Sequence, residues 1–175
     1  MDSIAKAHLW LLNLFKAGSG LIIFAVFVVI VADVGLTILA GWGLPVLPWD
    51  RTHGLVEYGL LWFTMLAAPW LVRIKGHVFV DALTQLLPPP VKRAVARFAY
   101  LVAIVGCLAF VYFSVQLWYE AFLFQELDDR GAYFPLWTLY LPMPFGFFLM
   151  AVEFFRFLIG LDDMYGSRLD VREGV

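Results

Sequence analysis

Residues 18–39 read GSGLIIFAVFVVIVADVGLTIL, a run with one ionisable side chain, Asp33. About 20 mostly apolar residues, rising about 1.5 Å each, cross the roughly 30 Å hydrocarbon core of a bilayer. This stretch therefore has the length and character of a transmembrane helix. It reads as a signal anchor and not as a cleaved signal peptide: the apolar run is too long, Asp33 interrupts it, and no small-x-small cleavage site follows.

Three further segments pass the same test, at 54–72, 96–118 and 139–159. The expected fold is an all-α membrane protein forming a single membrane domain over 1–175, with four transmembrane helices. Composition agrees. The chain of 175 residues is 63% hydrophobic and only 15% charged, with a mean hydropathy of +0.86, whereas soluble domains carry about 25% charged residues. So short a domain cannot hide that much apolar surface from water. Trp10, Trp42, Trp49, Trp70, Trp118 and Trp137 lie near the ends of apolar blocks and only Trp62 is central, the distribution of an interfacial aromatic belt.

Orientation follows from Lys and Arg. One set of connecting segments holds Lys6, Lys16, Arg73, Lys75, Lys92, Arg93, Arg97, Arg156, Arg168 and Arg172; the other holds Arg51 and Arg130. Ten against two places both termini in the cytoplasm, and an even number of spans is consistent with that. The cytoplasmic connection carries GHVFVDALTQLL before Pro88, Pro89 and Pro90. Val78, Ala82 and Leu86, with Phe79, Leu83 and Leu87, recur at helical spacing, predicting a short amphipathic interfacial helix over 77–87 that the triple proline stops. Residues 4–16 form a second candidate surface helix.

The polar groups offer little chemistry. A carboxylate at mid-bilayer costs about 2.5–3.5 kcal/mol, less near the interface, so Asp33 and Glu57 should face protein or water. They could relay ions or protons; the preferred reading is hydrogen-bonded carboxyls that fix helix packing or a partner. Glu153 and Arg156, at i and i+3, can pair on one helix face. Ala96, Ala99, Ala103, Gly106 and Cys107 form a small-residue stripe suited to close helix packing. His8, His53 and His77 lie at or beyond span ends, where they match neither a bis-histidine haem nor a zinc cluster. A lone cysteine excludes dithiol chemistry within the chain. No cofactor is expected, no basic run suits nucleic acid, and an enzyme is poorly supported.

Two motifs carry a family resemblance. Arg73-Ile74-Lys75-Gly76-His77-Val78-Phe79-Val80-Asp81 looks like the R-x-x-G-H-V-x-V-D segment of the small subunits of tripartite ATP-independent periplasmic (TRAP) transporters. Glu57 stands upstream as in that family, followed by Trp62. Trp137, Tyr140, Pro144 and Gly146 fall as in its W-x-x-Y-x-x-x-P-x-G signature, with Glu153 extending the match. The first span departs: members often carry an Arg near its outer end, where this chain has Asp33 and Thr37. The resemblance implies a non-catalytic scaffold in the bacterial inner membrane, surrounded by lipid. Its implied partners are a large polytopic membrane subunit holding the sodium and substrate sites and, transiently, a periplasmic binding protein that delivers an organic acid. The alternative is a self-contained proton-coupled transporter acting as a homo-oligomer. The absence of inverted repeats and of a mid-membrane polar cluster weighs against it.

Overall fold

The computed structural model describes residues 2–43, 52–74, 88–128 and 134–161. They form five helices: α1 (Asp2–Gly41), α2 (Thr52–Arg73), α3 (Pro89–Phe124), α4 (Leu136–Tyr140) and α5 (Pro142–Leu158). Among these residues four stretches are long and apolar enough to cross a membrane, the fourth being α4 and α5 together. The chain is an all-helical membrane protein. The expected interfacial helix over 77–87 lies outside the described residues.

The first span is longer than its apolar run. Residues 4–16 are not a separate surface helix; they continue into the span as one helix of 40 residues, about 60 Å at 1.5 Å per residue. Nothing between Lys6 and Gly20 interrupts the ladder: there is no proline, and the Ser19 hydroxyl bonds back to the Lys16 carbonyl at 2.8 Å. The consequence is that His8 and Leu12 join the protein interior, and Leu12 is 1% exposed.

The prolines at 88–90 start a helix. Pro88 is the N-cap of α3, extended at φ −58° and ψ 148°, and Pro89 and Pro90 occupy its first turn, where the missing N–H would have no partner anyway. Helix α3 runs 36 residues and ends at Gln125, which takes the left-handed conformation at φ 50°. Beyond it, the Asp128 N–H donates to the Phe134 carbonyl and the Leu136 N–H to the Glu126 carbonyl, both at 2.9 Å. The last span has a joint at Leu141. That residue keeps helical angles (φ −52°, ψ −45°), but Pro142 and Pro144 supply no N–H to the ladder.

Helix α1 packs on α2, α2 on α5, and α5 on α3, while α4 rests against α3 and α2. The spans thus stand in a row, first–second–fourth–third, with the first and third at the two edges. At one end Val72, Ala96, Tyr100 and Phe157 form a buried cluster spanning the inner members of the row and α3, with the Tyr100 and Phe157 rings stacked at 5.8 Å. Burial elsewhere is shallow. Leu21, Phe24 and Phe27 on α1 are 70%, 64% and 62% exposed, and Phe98, Val105 and Phe113 on α3 are 69%, 66% and 63% exposed. In lipid such faces cost nothing, and helices associate through close packing and polar contacts.

Helix α5 comes close to the α2 backbone at Gly146. A Cβ built there would lie 2.7 Å from the Met65 carbonyl oxygen, so α5 meets the backbone of α2 where only hydrogen fits. The small-residue stripe of α3 behaves differently from the expected seam. Ala96 is buried, but Ala99 is exposed and a Cβ on Gly106 would meet nothing within 4 Å. Substituting Gly146→Val should therefore destabilise the protein by about 1–3 kcal/mol through overpacking, whereas Gly106→Ala should be neutral. Thermal unfolding in detergent, read by size-exclusion fluorescence, distinguishes the two; equal melting temperatures would contradict the packing described.

Candidate functional site

The most buried ionisable side chain among the described residues is Glu153, 1% exposed, on α5. Its position follows from the helix period: Leu149, Glu153 and Phe157 fall at successive i+4 steps on the face of α5 turned inward, and all are buried. A buried carboxylate requires partners, and three converge. Arg156, one turn on, donates to Oε2 at 2.8 Å. Arg73, the last residue of α2, donates to Oε1 at 3.2 Å. His8 of α1 donates Nε2–H to the same oxygen at 2.5 Å. Three spans are thereby tied by one side chain. Beside this knot, Lys16 Nζ lies 4.3 Å from the centre of the Trp70 ring, a cation–π contact that adds a second link between α1 and α2.

Two polar contacts link the spans at the opposite end. Thr52, buried at the start of α2, donates its hydroxyl to Asp33 Oδ1 of α1 at 3.0 Å. Trp62 Nε1–H donates to the Thr138 carbonyl at 3.0 Å. That carbonyl belongs to α4, so the indole links the second span to the first turn of the fourth. Tyr58 packs its ring on Phe134 at 5.7 Å and faces the buried Asp128.

The remaining sequence candidates spread along these elements. Glu57 is exposed on α2 between two shallow grooves. One is about 380 Å³ and is flanked by Ile30, Asp33 and His53; the other is about 440 Å³ and is flanked by Leu61, Thr64, Tyr140 and Met143. Trp137 sets its ring edge-on to Phe122 at 5.9 Å. Pro144 lines an apolar groove between α3 and α5 with Trp118 and Phe148. Gly146 is the contact with Met65. Gly76, His77 and Asp81 lie outside the described residues. The structure therefore brings Arg73 and Glu153 together, sets Asp33 and Glu57 on one groove, and leaves Trp137 and Pro144 at separate packing contacts.

Sequence reasoning paired Glu153 with Arg156 but missed two partners. In the sequence Arg73 reads as part of a motif and of the topology count, and His8 as lying at or beyond a span end. The uninterrupted helix-compatible run from Lys6 to Gly20 was the available signal for His8. Among the described residues no group of His, Cys, Asp and Glu could hold a metal ion. The geometry of these contacts fixes helices to one another.

The family model described as "Tripartite ATP-independent periplasmic transporters, DctQ component" matches residues 26–162. No curated protein matches the chain, and no solved structure does.

Removing the carboxylate charge by Glu153→Gln should cost about 3 kcal/mol, the low end for breaking a buried ion pair, because Arg73 and Arg156 are 22% and 24% exposed and can rehydrate. His8→Ala should cost less, about 1.5 kcal/mol, as one hydrogen bond to a charged group. Unfolding midpoints of both variants in the same detergent should preserve that order; a His8→Ala effect at or above that of Glu153→Gln would contradict it.

Proposed function

The chain belongs to the family of DctQ components of tripartite ATP-independent periplasmic transporters, and from that membership we propose that it acts as a non-catalytic scaffold. Its partner in this reading is the large polytopic membrane subunit of a sodium-coupled importer, with an organic acid delivered by a periplasmic binding protein. The observation that carries the scaffold role is the open row of spans. A row has two broad faces and two edges, and here they are apolar and exposed along α1 and α3, which suits a chain that offers packing surface. The ionisable residues that lie inside it are spent on holding spans together: Glu153 binds α1, α2 and α5, and Asp33 binds the start of α2.

The proposed setting is the bacterial inner membrane with both termini in the cytoplasm. The described Lys and Arg residues support it. Lys6, Lys16, Arg73, Arg93, Arg97 and Arg156 all belong to the Glu153 end of the row, the end that the positive-inside rule assigns to the cytoplasm. Trp62, Gly146 and Glu153 act as internal fasteners, while Glu57 and Tyr140, on open grooves, face the partner or the outer interface. His77 and Asp81 are proposed to support assembly from the cytoplasmic connection.

Tagged protein expressed with its native operon and purified in mild detergent should retain a much larger polytopic membrane protein. The chain alone in liposomes should move no organic acid under a sodium or proton gradient. Transport by the chain alone, abolished by Glu57→Gln, would establish the self-contained alternative and refute the scaffold. The double variant His77→Ala, Asp81→Ala should lower the yield of the large partner in the same pull-down without altering the substrate preference of whatever complex remains; an unchanged yield would remove these two residues from assembly.

A further inference from the structure

The Glu153 knot carries more positive charge than its own packing requires. One carboxylate faces two guanidiniums, and each is bonded to it through a single NH1 atom. A guanidinium has five N–H donors in a planar fork, so most of the donor capacity of Arg73 and Arg156 is not used by Glu153. Both side chains remain about a fifth exposed, 22% and 24%, while the carboxylate between them is closed off at 1%. The accessible part of this cluster is therefore cationic, and its negative member is hidden. The two forks cannot drift apart, because both hold the same carboxylate from different helices.

Position identifies the anion. Arg73 is the last residue of the second span and Arg156 lies in the last turn of the fourth. Exposed apolar residues adjoin both along the chain: Ile74 follows Arg73, and Phe155 and Ile159 stand next to and one turn beyond Arg156, exposed by 44%, 51% and 54%. An anion reaching these guanidiniums at the ends of two membrane spans must tolerate apolar side chains and acyl chains beside it. Guanidinium forks match phosphate oxygens in geometry and charge, and anionic headgroups concentrate at the cytoplasmic surface. We propose that Arg73 and Arg156, locked in place by Glu153 and His8, form a binding site for the phosphate of an anionic glycerophospholipid whose acyl chains lie along the neighbouring Ile74, Phe155 and Ile159. The knot then has two roles: it ties three spans together and it seats a lipid at their common end. This goes beyond the scaffold reading and stands whether or not the chain has a large partner.

The test uses the full chain in detergent and in vesicles of phosphatidylcholine with or without a minority of phosphatidylglycerol. Native mass spectrometry after mild delipidation should find phosphatidylglycerol retained by the unaltered protein. The double variant Arg73→Lys, Arg156→Lys keeps the charge but loses both forks, and its retention should fall about tenfold, the worth of one hydrogen bond to a charged group. Arg93→Gln with Arg97→Gln removes two exposed charges of α3 that take no part in the knot and should leave retention unchanged. An equal fall in both double variants would mean that only general surface charge attracts the lipid, and no fall in the lysine variant would mean that the forks do not bind it; either overturns the proposal. Should the lysine variant fail to run as a monodisperse species, the unaltered protein decides alone. Its melting temperature should rise with phosphatidylglycerol over phosphatidylcholine, and equal values overturn the site. Retention by the isolated chain but exclusion from the chain co-purified with a large partner would assign the guanidiniums to an acidic group of that partner, and would equally overturn it.

Discussion

A carboxylate on the inward face of a membrane helix constrains everything around it. Glu153 is closed from solvent at 1% exposure, and a bare charge there would cost several kcal/mol. Its two oxygens must be met by donors, and those donors sit on three different helices: His8 on α1, Arg73 on α2 and Arg156 on α5. The ends of these spans are consequently fixed in depth relative to one another. Lipid supplies no hydrophobic drive for helices to associate, so a polar knot of this kind, with the backbone-to-backbone contact at Gly146 and Met65, accounts for much of what keeps the row together.

The opposite end is organised by gentler means. Asp33 accepts from the Thr52 hydroxyl, and the Trp62 indole N–H donates to the Thr138 carbonyl. The second contact resolves two needs at once. The indole N–H requires an acceptor within an apolar span, and the Pro142 joint in the fourth span leaves carbonyls in the turn before it without a helical donor. The aromatic contacts of Tyr58 with Phe134 and of Trp137 with Phe122 add to this latch.

The shape of the row explains how such a small protein offers so much surface. With α1 and α3 at the edges, each span buries only a narrow stripe, and the apolar remainder of Leu21, Phe24, Phe27, Val105 and Phe113 is turned outward. In water this would be a liability; in a bilayer it is neutral until a protein or lipid of matching shape covers it. The family to which the chain belongs gives that exposed surface its context: a component of a larger transporter must keep surface available for its companions.

The number of spans, their approximate places and the clustering of basic residues were all determined by the amino-acid sequence, because each depends only on local quantities: run length, hydropathy, and the distance of a Lys or Arg from an apolar block. The i, i+3 pair of Glu153 and Arg156 was legible for the same reason, since one helix period sets it. The motif residues pointed to the family for a related cause, being short runs readable without coordinates. What needed the tertiary structure was every contact made across a connection. His8 reaches Glu153 only because α1 continues unbroken through Lys16 and Gly18, a choice that sequence alone left open between one helix and two. Arg73 meets Glu153 only because the second and fourth spans are neighbours. The stripe from Ala96 to Cys107 could have been a seam along its whole length, yet only Ala96 is buried, because the third span touches the rest of the row on one side alone. Side-chain pairing across helices depends on which spans are adjacent and at what depth, and neither is encoded in any single window of residues.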